Sequence, residues 1–322
     1  MQRRRILLAA GLSALAGAPA HSNNARPLRI VVPFAPGGSA DIFPRLLAPR
    51  LSELLQRPVV VENRAGAGGR LGAELVARSA PDGNTIGVAT VSTHAIGPAV
   101  AKRSNYDPIT GFAPITCLVQ VPNVLAVHPS VPAKDVKALI KLSRDPRRML
   151  NYGSPGVGSL GHMMGELFKQ ATSTFMVHIP YSGGGPALQG AIAGQVQVIY
   201  DNLPGPLPHI KAGRLRALAV SWPQRIEGLD EVPTFKEIGV PTLNDPSWFG
   251  LVAPAGAPAE FVAAVREAAS TALATPEIQS RITDLGGIAV GNQPAEFGRA
   301  IQSEFQKWRR VATAAKVSLD TV

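Results

Sequence analysis

The sequence has little cysteine, few aromatic residues and no long hydrophobic run. Cys117 is the single cysteine in 322 residues, so an intramolecular disulfide, a cysteine-based zinc site and an iron–sulfur cluster are excluded. Aromatic residues make up 5% of the chain and charged residues 17%. Since no stretch reaches the roughly 20 apolar residues that a membrane-spanning helix requires, we expect a protein that is not inserted in a membrane.

The composition is that of a globular protein with many turns. Hydrophobic residues make up 45% of the chain, and Gly (32) and Pro (29) recur without a fixed period, which excludes a collagen-like or linker-like chain. The length suits about two domains of ordinary size. Lys and Arg (32) exceed Asp and Glu (22), giving a formal net charge of +10. Because the basic residues are scattered and aromatic residues for base stacking are scarce, we expect small anions as partners and no nucleic acid.

The first 20 residues have the pattern of a bacterial export signal. Arginines at positions 3–5 precede an apolar run over residues 6–16, and an A-x-A cleavage motif follows at residues 18–20. We therefore predict that residues 1–20 are a signal peptide and that the mature protein is located in the periplasm. The arginine pair also suits a twin-arginine signal, so the sequence leaves the export route open.

Short Val- and Ile-rich runs alternate with helical patterns after the signal, which predicts an α/β protein. Repeated β-loop-α units favour parallel sheets. Three amphipathic helices are expected in the last third, with stripes over residues 261–272 and 297–308 and a start at Thr275 and Pro276. The predicted strands cover residues 28–33, 59–62, 85–90, 123–127, 150–152, 176–179, 196–200 and 215–220.

This order of elements predicts two α/β lobes with a ligand cleft and a hinge between them. We assign residues 27–122 and 222–322 to lobe 1 and residues 123–221 to lobe 2, with the C-terminal helices returning to the first lobe. A connection made of two chain segments permits hinge motion.

Signatures of catalysis are missing from the loops. No serine lies in a G-x-S-x-G turn, no Gly-Lys pair is available for a phosphate-binding loop, and the six histidines form no H-E-x-x-H motif. His162 and Glu166 share a helix face, where two metal ligands or a solvated pair are both compatible with the spacing. Gly156, Gly158 and Gly161 match the G-x-G-x-x-G pattern of dinucleotide sites, yet no acidic residue for a ribose follows about 20 residues later. We therefore expect no cofactor, no metal and no catalytic residue.

Glycine-rich loops follow several predicted strands, and each leads into a helix. They cover residues 35–41, 153–161 and 181–186. Helix N-termini carry unpaired N–H groups and about half a positive charge, so they bind carboxylates without a basic side chain. One such loop is equally well explained by the turn-forming ability of glycine. Several of them at the carboxyl ends of strands indicate a site for an anion.

These loops supply most of the candidate ligand-binding residues. Serine and threonine hydroxyls offer donors there, although each is also suited to cap a helix. An Asp opposes an anionic ligand, so it either caps its own backbone or meets an ammonium or hydroxyl group of the ligand; we favour capping for Asp41 and leave both roles open for Asp201. The candidates from the loops and strand ends are Ala35, Gly37, Gly38, Ser39, Asp41, Thr93, Ser154, Gly158, Ser159, Gly183 and Asp201.

A series of motifs runs along almost the whole chain after the signal. They are LRIVVPFAPGG at 28–38, VVVENR at 59–64, GAGG at 66–69, THAI at 93–96, PNV at 122–124, HIPY at 178–181, GQVQ at 194–197, DNLP at 201–204 and WFGL at 248–251. In this order they resemble the Bug family, the extracytoplasmic substrate-binding proteins of tripartite tricarboxylate transporters. The family implies a bilobal type II periplasmic binding fold that closes over a small, usually carboxylate-bearing ligand.

The resemblance also implies which residues of this chain contact the ligand. Members of the family hold the carboxylate through backbone amides and ordered waters at the loops that match residues 35–41 and 153–159. Further contacts are implied for Thr93, His94, Tyr181 and Asp201. The implied partners are a small organic anion and integral-membrane permease subunits, and we expect a monomer. Two other functions stay open at this point: a sensor that docks onto a receptor kinase, and, less favoured, a periplasmic enzyme on the same fold.

Overall fold

A computed structural model describes residues 26–315, and the predicted signal at residues 1–20 lies outside them. No helix within the described range has the length and apolar character needed to cross a membrane. The strands of this range are β1 (Leu28–Val32), β2 (Val59–Asn63), β3 (Thr85–Thr90), β4 (Phe112–Val121), β5 (Asn123–Val127), β6 (Leu150–Ser154), β7 (Met176–Pro180), β8 (Val198–Asn202), β9 (Arg216–Ser221), β10 (Ser247–Pro254) and β11 (Ile288–Ala289). Its α-helices are α1 (Ser39–Leu54), α2 (Arg70–Ala77), α3 (Gly97–Val100), α4 (Val136–Ser143), α5 (Leu160–Thr172), α6 (Gly184–Ile192), α7 (Leu207–Lys211), α8 (Ala259–Leu273), α9 (Pro276–Asp284) and α10 (Pro294–Ala315).

The strands form two sheets, which confirms the predicted α/β class. The first sheet has the order β11-β4-β10-β3-β1-β2, and the second has the order β7-β6-β8-β5-β9. The βαβ units pair in parallel, as in β1 with β2 and β6 with β7. The prediction of parallel sheets is wrong for β5, β10 and β11. Strand β10 runs antiparallel to β3 and β4, β5 runs antiparallel to β8 and β9, and β11 runs antiparallel to β4. The physical reason is that β5 and β10 enter their sheets from the other sheet's side and therefore run in the opposite direction.

Sequence patterns missed the two longest strands, β4 and β10. Both are largely or wholly buried, so they lack the alternation of apolar and polar residues that reveals a half-exposed strand. Pro114 and Gly250 also interrupt them, and both residue types are disfavoured inside strands. Tertiary burial of the central strands outweighs these local preferences.

The chain passes between the sheets twice at neighbouring points. Pro122 alone separates β4 from β5, and the side-chain amide of Asn123 donates to the carbonyl of Asp245, 3.0 Å away, just before β10 begins. The return segment first packs on the second sheet, where the N–H of Phe235 donates to the carbonyl of Val220 at 2.9 Å. We therefore propose that lobe 2 extends from residue 123 to Asp245, beyond the boundary at residue 221 that the sequence predicts.

Two layers of helices cover the first sheet. In β1, Ile30 and Val32 face the apolar side chains of α1 and α8, whereas Val31 faces the opposite side together with α2 and α10. This alternation follows from the pleat, which directs successive side chains to opposite faces. The C-terminal helices α8 and α10 both pack on β4, so the last third of the chain returns to the sheet that the first third builds.

Helix α5 is held against the second sheet by a glycine. A Cβ added at Gly165 would overlap the ring of Tyr152, which is fully buried on β6. Because Gly165 has no side chain, the backbone of α5 approaches the ring of Tyr152 closely.

We expect Gly165→Ala to lower the free energy of unfolding by about 1–3 kcal/mol, because an extra methyl group in a filled core forces its neighbours to move. The matched control is Gly298→Ala, which lies inside α10 and would meet nothing closer than Pro114 at 3.3 Å. Since Ala favours helix over Gly, the control should be neutral or more stable by up to ~1 kcal/mol. Urea unfolding measures both, and equal effects of the two substitutions would refute the packing argument.

Candidate functional site

Three helices begin at a common cavity between the two sheets. Gly38 to Ala40 at the start of α1, Leu160 and Gly161 at the start of α5, and Gly184 at the start of α6 all line it. Helix α1 follows β1 of the first sheet, whereas α5 and α6 follow β6 and β7 of the second. The tertiary structure therefore brings helix N-termini of both lobes together at one cavity.

The electrostatic character of this cavity comes from the backbone. Among the described residues that line it, none is Lys or Arg. Helix geometry leaves the first N–H groups of each helix without an acceptor in the helix itself, and those of Ser39, Ala40 and Gly161 belong to this class. The aligned peptide dipoles add about half a positive charge at each N-terminus. These helix starts therefore favour an anion without a basic side chain, whereas Asp201 is the one acidic residue among the described residues of the lining.

The lobes are in contact across the cavity. The N–H of Ala35 donates to the carbonyl of Ser182 at 3.1 Å. The hydroxyl of Ser92 accepts from the N–H of Leu160, the first residue of α5, at 3.0 Å. In the same way, the hydroxyl of Ser39 accepts from the N–H of Gly205 at 3.3 Å. These bonds between lobes identify a closed conformation.

The glycines are required where the two backbones meet. A Cβ on Gly38 would lie 3.0 Å from the N atom of Gly185 and 3.1 Å from the Cα of Gly184. A Cβ on Gly183 would lie 2.8 Å from the N atom of Ala35, and Gly183 also has a positive φ of 158°. The cavity that remains has a volume of only about 20 Å³, room for about one water molecule. A metabolite therefore enters only when the lobes separate.

Asp41 is bound by groups of its own lobe. Its carboxylate accepts from the N–H of Gly37 at 3.1 Å, from Nε of Arg45 at 2.9 Å and from the side-chain amide of Asn63 at 2.8 Å. Burial raises the pKa of this carboxyl, but the hydrogen bonds from Arg45, Asn63 and Gly37 together hold it below its ordinary value. The side chain thus closes the loop that precedes it, which is the role favoured from the sequence.

Asp201 has a different environment at the wall of the cavity. It lies at the end of β8 with 5% of its surface exposed, and its Oδ1 accepts from the N–H of Asn202 at 2.8 Å. Its Oδ2 is buried and has no hydrogen-bond partner among the described residues. Burial therefore raises the pKa of Asp201 to about 7, although the hydrogen bond from Asn202 acts in the opposite direction.

The predicted hydroxyl donors mostly support their own loops. Ser159 caps α5 by accepting from the N–H of His162 at 3.3 Å. The hydroxyl of Ser154 accepts from the N–H of Gly156 at 3.2 Å. Thr93 accepts from the N–H of Thr90 at 3.1 Å. Of the predicted hydroxyl residues, Ser39 is the one that lines the cavity.

A stack of rings supports the loop before α5 from behind. Nδ1 of His162 accepts from the N–H of Gly158 at 3.2 Å, and the ring of His162 stacks on that of His178 at 4.2 Å. Nε2 of His178 lies 2.6 Å from the hydroxyl of Ser154. Burial lowers the pKa of His178 to about 3 and also lowers that of His162, so both rings are neutral and add no positive charge to the site.

The structure separates the candidate residues into three groups. His94 packs on Phe112 in the core of the first lobe at 4.5 Å, and Tyr181 packs against Gly190 of α6. For every candidate residue, contact with a ligand stays a prediction. Gly38, Ser39 and Asp201 line the cavity; Ala35, Gly37, Asp41, Ser154, Gly158, Ser159 and Gly183 build the loops around it; Thr93, His94 and Tyr181 lie outside its lining.

Sequence reasoning missed several residues of the cavity wall. Phe34 follows β1 and Phe249 lies on β10, and these two strands flank β3 in the first sheet. Both residues belong to motifs on which the family resemblance rests, so the sequence contained a signal for them. Ser92 and Ser247 had no such signal as single residues. Ser92 belongs to a π-helical turn over Ser92–Ile96, and only the tertiary structure brings that turn to the start of α5.

Known proteins resemble this chain over most of its length. The family described as tripartite tricarboxylate transporter family receptor matches residues 43–317. Protein BugT from Bordetella pertussis is 33% identical over 296 residues, which cover 91% of this chain and 91% of BugT.

Solved structures of relatives have the same fold. The periplasmic binding protein BugD is 30% identical with a TM-score of 0.88, covering 91% of this chain and 99% of BugD. An R. palustris protein solved with adipate is 36% identical with a TM-score of 0.86, covering 91% and 98%. MatC from Rhodopseudomonas palustris, solved with bound malate, is 32% identical with a TM-score of 0.84, covering 89% and 99%.

These similarities confirm both the bilobal fold and the family that the motifs resembled. The match extends over far more than half of the chain and includes both lobes. The chain therefore belongs to the tripartite tricarboxylate transporter receptor family and is a periplasmic solute-binding protein.

Proposed function

We propose that this protein captures a small dicarboxylate between its two lobes and delivers it to the integral-membrane permease of a tripartite tricarboxylate-type transporter. The observation that carries the proposal is the convergence of three helix N-termini on one cavity whose described lining contains no basic side chain. Adipate and malate, the ligands of two structural relatives, are both dicarboxylates. Export by the predicted signal at residues 1–20 and action as a monomer belong to the same proposal.

A dicarboxylate suits the distribution of the helix N-termini between the lobes. Helix α1 belongs to the first lobe, and α5 and α6 belong to the second. A ligand with an acid group at each end is bound by both lobes at once, so binding stabilises a conformation in which the lobes close around the ligand. In that conformation the lobes are further apart than in this structure, whose cavity has room for about one water molecule. A micromolar Kd corresponds to about 8 kcal/mol, which about ten heavy atoms supply at roughly 0.8 kcal/mol each.

Simple binding rather than turnover follows from the chemistry of the polar groups. Two hydroxyl–histidine pairs near the site resemble a nucleophile with its base: Ser154 with His178, and Thr93 with His94. Thr93 and His94 are both fully buried in the first lobe, and burial lowers the pKa of His94 to about 3. Ser154 is fully buried and bound to its own loop, and the low pKa of His178 makes the ring a poor base at neutral pH. We therefore propose that the protein releases its ligand unchanged and needs no cofactor.

Saturating dicarboxylates of four to six carbons should raise the melting temperature by about 5 °C or more, because a ligand at 100 times its Kd stabilises the folded state by about 2.7 kcal/mol. Differential scanning fluorimetry with malate, succinate, glutarate and adipate measures the shift, and butyrate and hexanoate are the matched monocarboxylate controls. If none of the dicarboxylates shifts the transition, the proposed function is wrong, and tricarboxylates, amino acids and aromatic acids then test for another ligand.

Substitution of a glycine at the lobe contact should weaken binding without unfolding the protein. We expect Gly38→Ala to reduce the affinity for the tightest dicarboxylate about tenfold, because its methyl group meets Gly184 and Gly185 only when the lobes close, and overpacking costs about 1–3 kcal/mol. Calorimetric titration gives the Kd, and circular dichroism checks the fold.

Gly298→Ala, far from the cavity on α10, is the control and should bind like the unmodified protein. Wild-type affinity in Gly38→Ala would show that the glycine forms a turn and nothing more.

A further inference from the structure

Two buried aspartates near the cavity have opposite environments. Asp41 and Asp201 are 4% and 5% exposed. The carboxylate of Asp41 is neutralised by Arg45 and accepts from two further donors. Asp201 accepts one backbone N–H and leaves Oδ2 buried without a partner among the described residues. Because burial of an uncompensated charge is unfavourable, the same residue type is expected in two different protonation states.

No cation is available to Asp201 from the elements that surround it. Helix α6, whose first residue Gly184 lies beside the carboxyl, has no acidic or basic residue in its terminal turns, and the dipole at its N-terminus supplies only about half a positive charge. On the neighbouring strand β5, the residue opposite Asp201 is Val124. At the start of α1, the charged groups are Asp41 and Arg45, which pair with each other.

The ionisable groups of α5, β6 and β8 are also unable to compensate a charge on Asp201. His162 of α5 is neutral, and Glu166 and Lys169 of the same helix pair with each other. Tyr152 of β6 and Tyr200 of β8 are buried, and burial raises the pKa of both phenols, so they remain uncharged. The strand β10 contributes Ser247 and Phe249 to the cavity, neither of which is charged.

The charge of the ligand favours the same protonation state. An ionised Asp201 repels a carboxylate that enters the cavity, whereas a neutral carboxyl group carries an O–H donor that the carboxylate accepts. Hydrogen bonds to an ionised acceptor are short and strong. Burial raises the pKa of Asp201 to about 7, and a dianion bound beside the carboxyl therefore raises that pKa further.

We propose that Asp201 binds the ligand as a neutral carboxylic acid, with its Oδ2–H donating to a ligand carboxylate, so that each dianion is captured together with one proton. This inference rests on the proposed function, since it concerns the dicarboxylate of the same site. Asp201 is then the residue that selects a carboxylate over a ligand group that only donates hydrogen bonds, such as an ammonium.

The sign of the pH dependence follows from the direction of the pKa shift. Because the bound state holds a proton that the free protein releases at higher pH, affinity is full below the pKa of free Asp201 and falls as the pH rises above it. The Kd should rise by up to about tenfold per pH unit above that point, the limit for linkage to a single proton.

The decisive experiment is calorimetric titration of the full chain with malate and with adipate between about pH 5.5 and pH 8.5, in two buffers of different protonation enthalpy. Uptake of close to one proton per ligand at the upper end supports the proposal, and this measurement requires no variant. Asp201→Asn replaces the acid by a permanent donor of the same shape. It should keep wild-type affinity within about threefold at low pH and lose the pH dependence, because the Asn amide donates at every pH.

The control is Asp284→Asn, an exposed residue at the end of α9, which should retain the pH dependence of the unmodified protein. Binding with no proton uptake refutes the proposal while leaving the proposed function intact. Loss of affinity for malate alone in a folded Asp201→Asn would show instead that an ionised Asp201 accepts from the malate hydroxyl. Loss of affinity for both dicarboxylates, or binding that tightens as the pH rises, refutes the neutral donor. Absence of dicarboxylate binding at every pH overturns the proposed function together with this inference.

Discussion

Direct backbone contact between glycine-rich loops of the two lobes is the constraint on which the site depends. At Gly38, Gly183 and Gly184, a side chain would meet the backbone or a polar side chain of a neighbouring segment. Because these residues lack side chains, the starts of α1 and α6 approach closely enough to line one cavity with the start of α5. The same glycines that permit the turns therefore also permit the lobes to close.

The polar side chains near the cavity hold the loops in place and leave the helix starts available. Gly37 donates to Asp41, Gly156 to Ser154 and Gly158 to His162, so the loop amides that do not begin a helix are largely satisfied within their own lobe. The neutral rings of His162 and His178 support one loop without adding charge. In the proposed function, an anion interacts with helix dipoles that the fold fixes within each lobe, so these dipoles need no local reorganisation when it binds. Weak, distributed attraction of this kind suits the proposed release of the ligand to a permease.

The chain as a whole is basic, whereas the lining of the cavity is not. The chain carries a formal net charge of +10, yet the described lining of the cavity contains no basic residue. In the proposed function, an overall positive field raises the local concentration of small anions, whereas the helix N-termini and Asp201 determine how a bound anion is held. In the fold, Arg45 compensates the charge of Asp41, and Asp201 has no such partner. The pKa of Asp41 is therefore lowered and that of Asp201 is raised, although both residues lie near the same cavity.

The sequence by itself determined the α/β class, most strands and helices, the glycine-rich loops and the family, because these depend on local periodicity and short motifs. The strands β3 and β5 begin and end at the residues predicted from their Val- and Ala-rich patterns. Only the tertiary structure decided that β10 inserts antiparallel between β3 and β4, that Ser92 reaches the start of α5, and that the ring of His94 lies in the core. The roles of Asp41 and Asp201 belong to the same class. Their identical side chains differ only in the partners that distant segments bring to them, and no local pattern encodes such contacts.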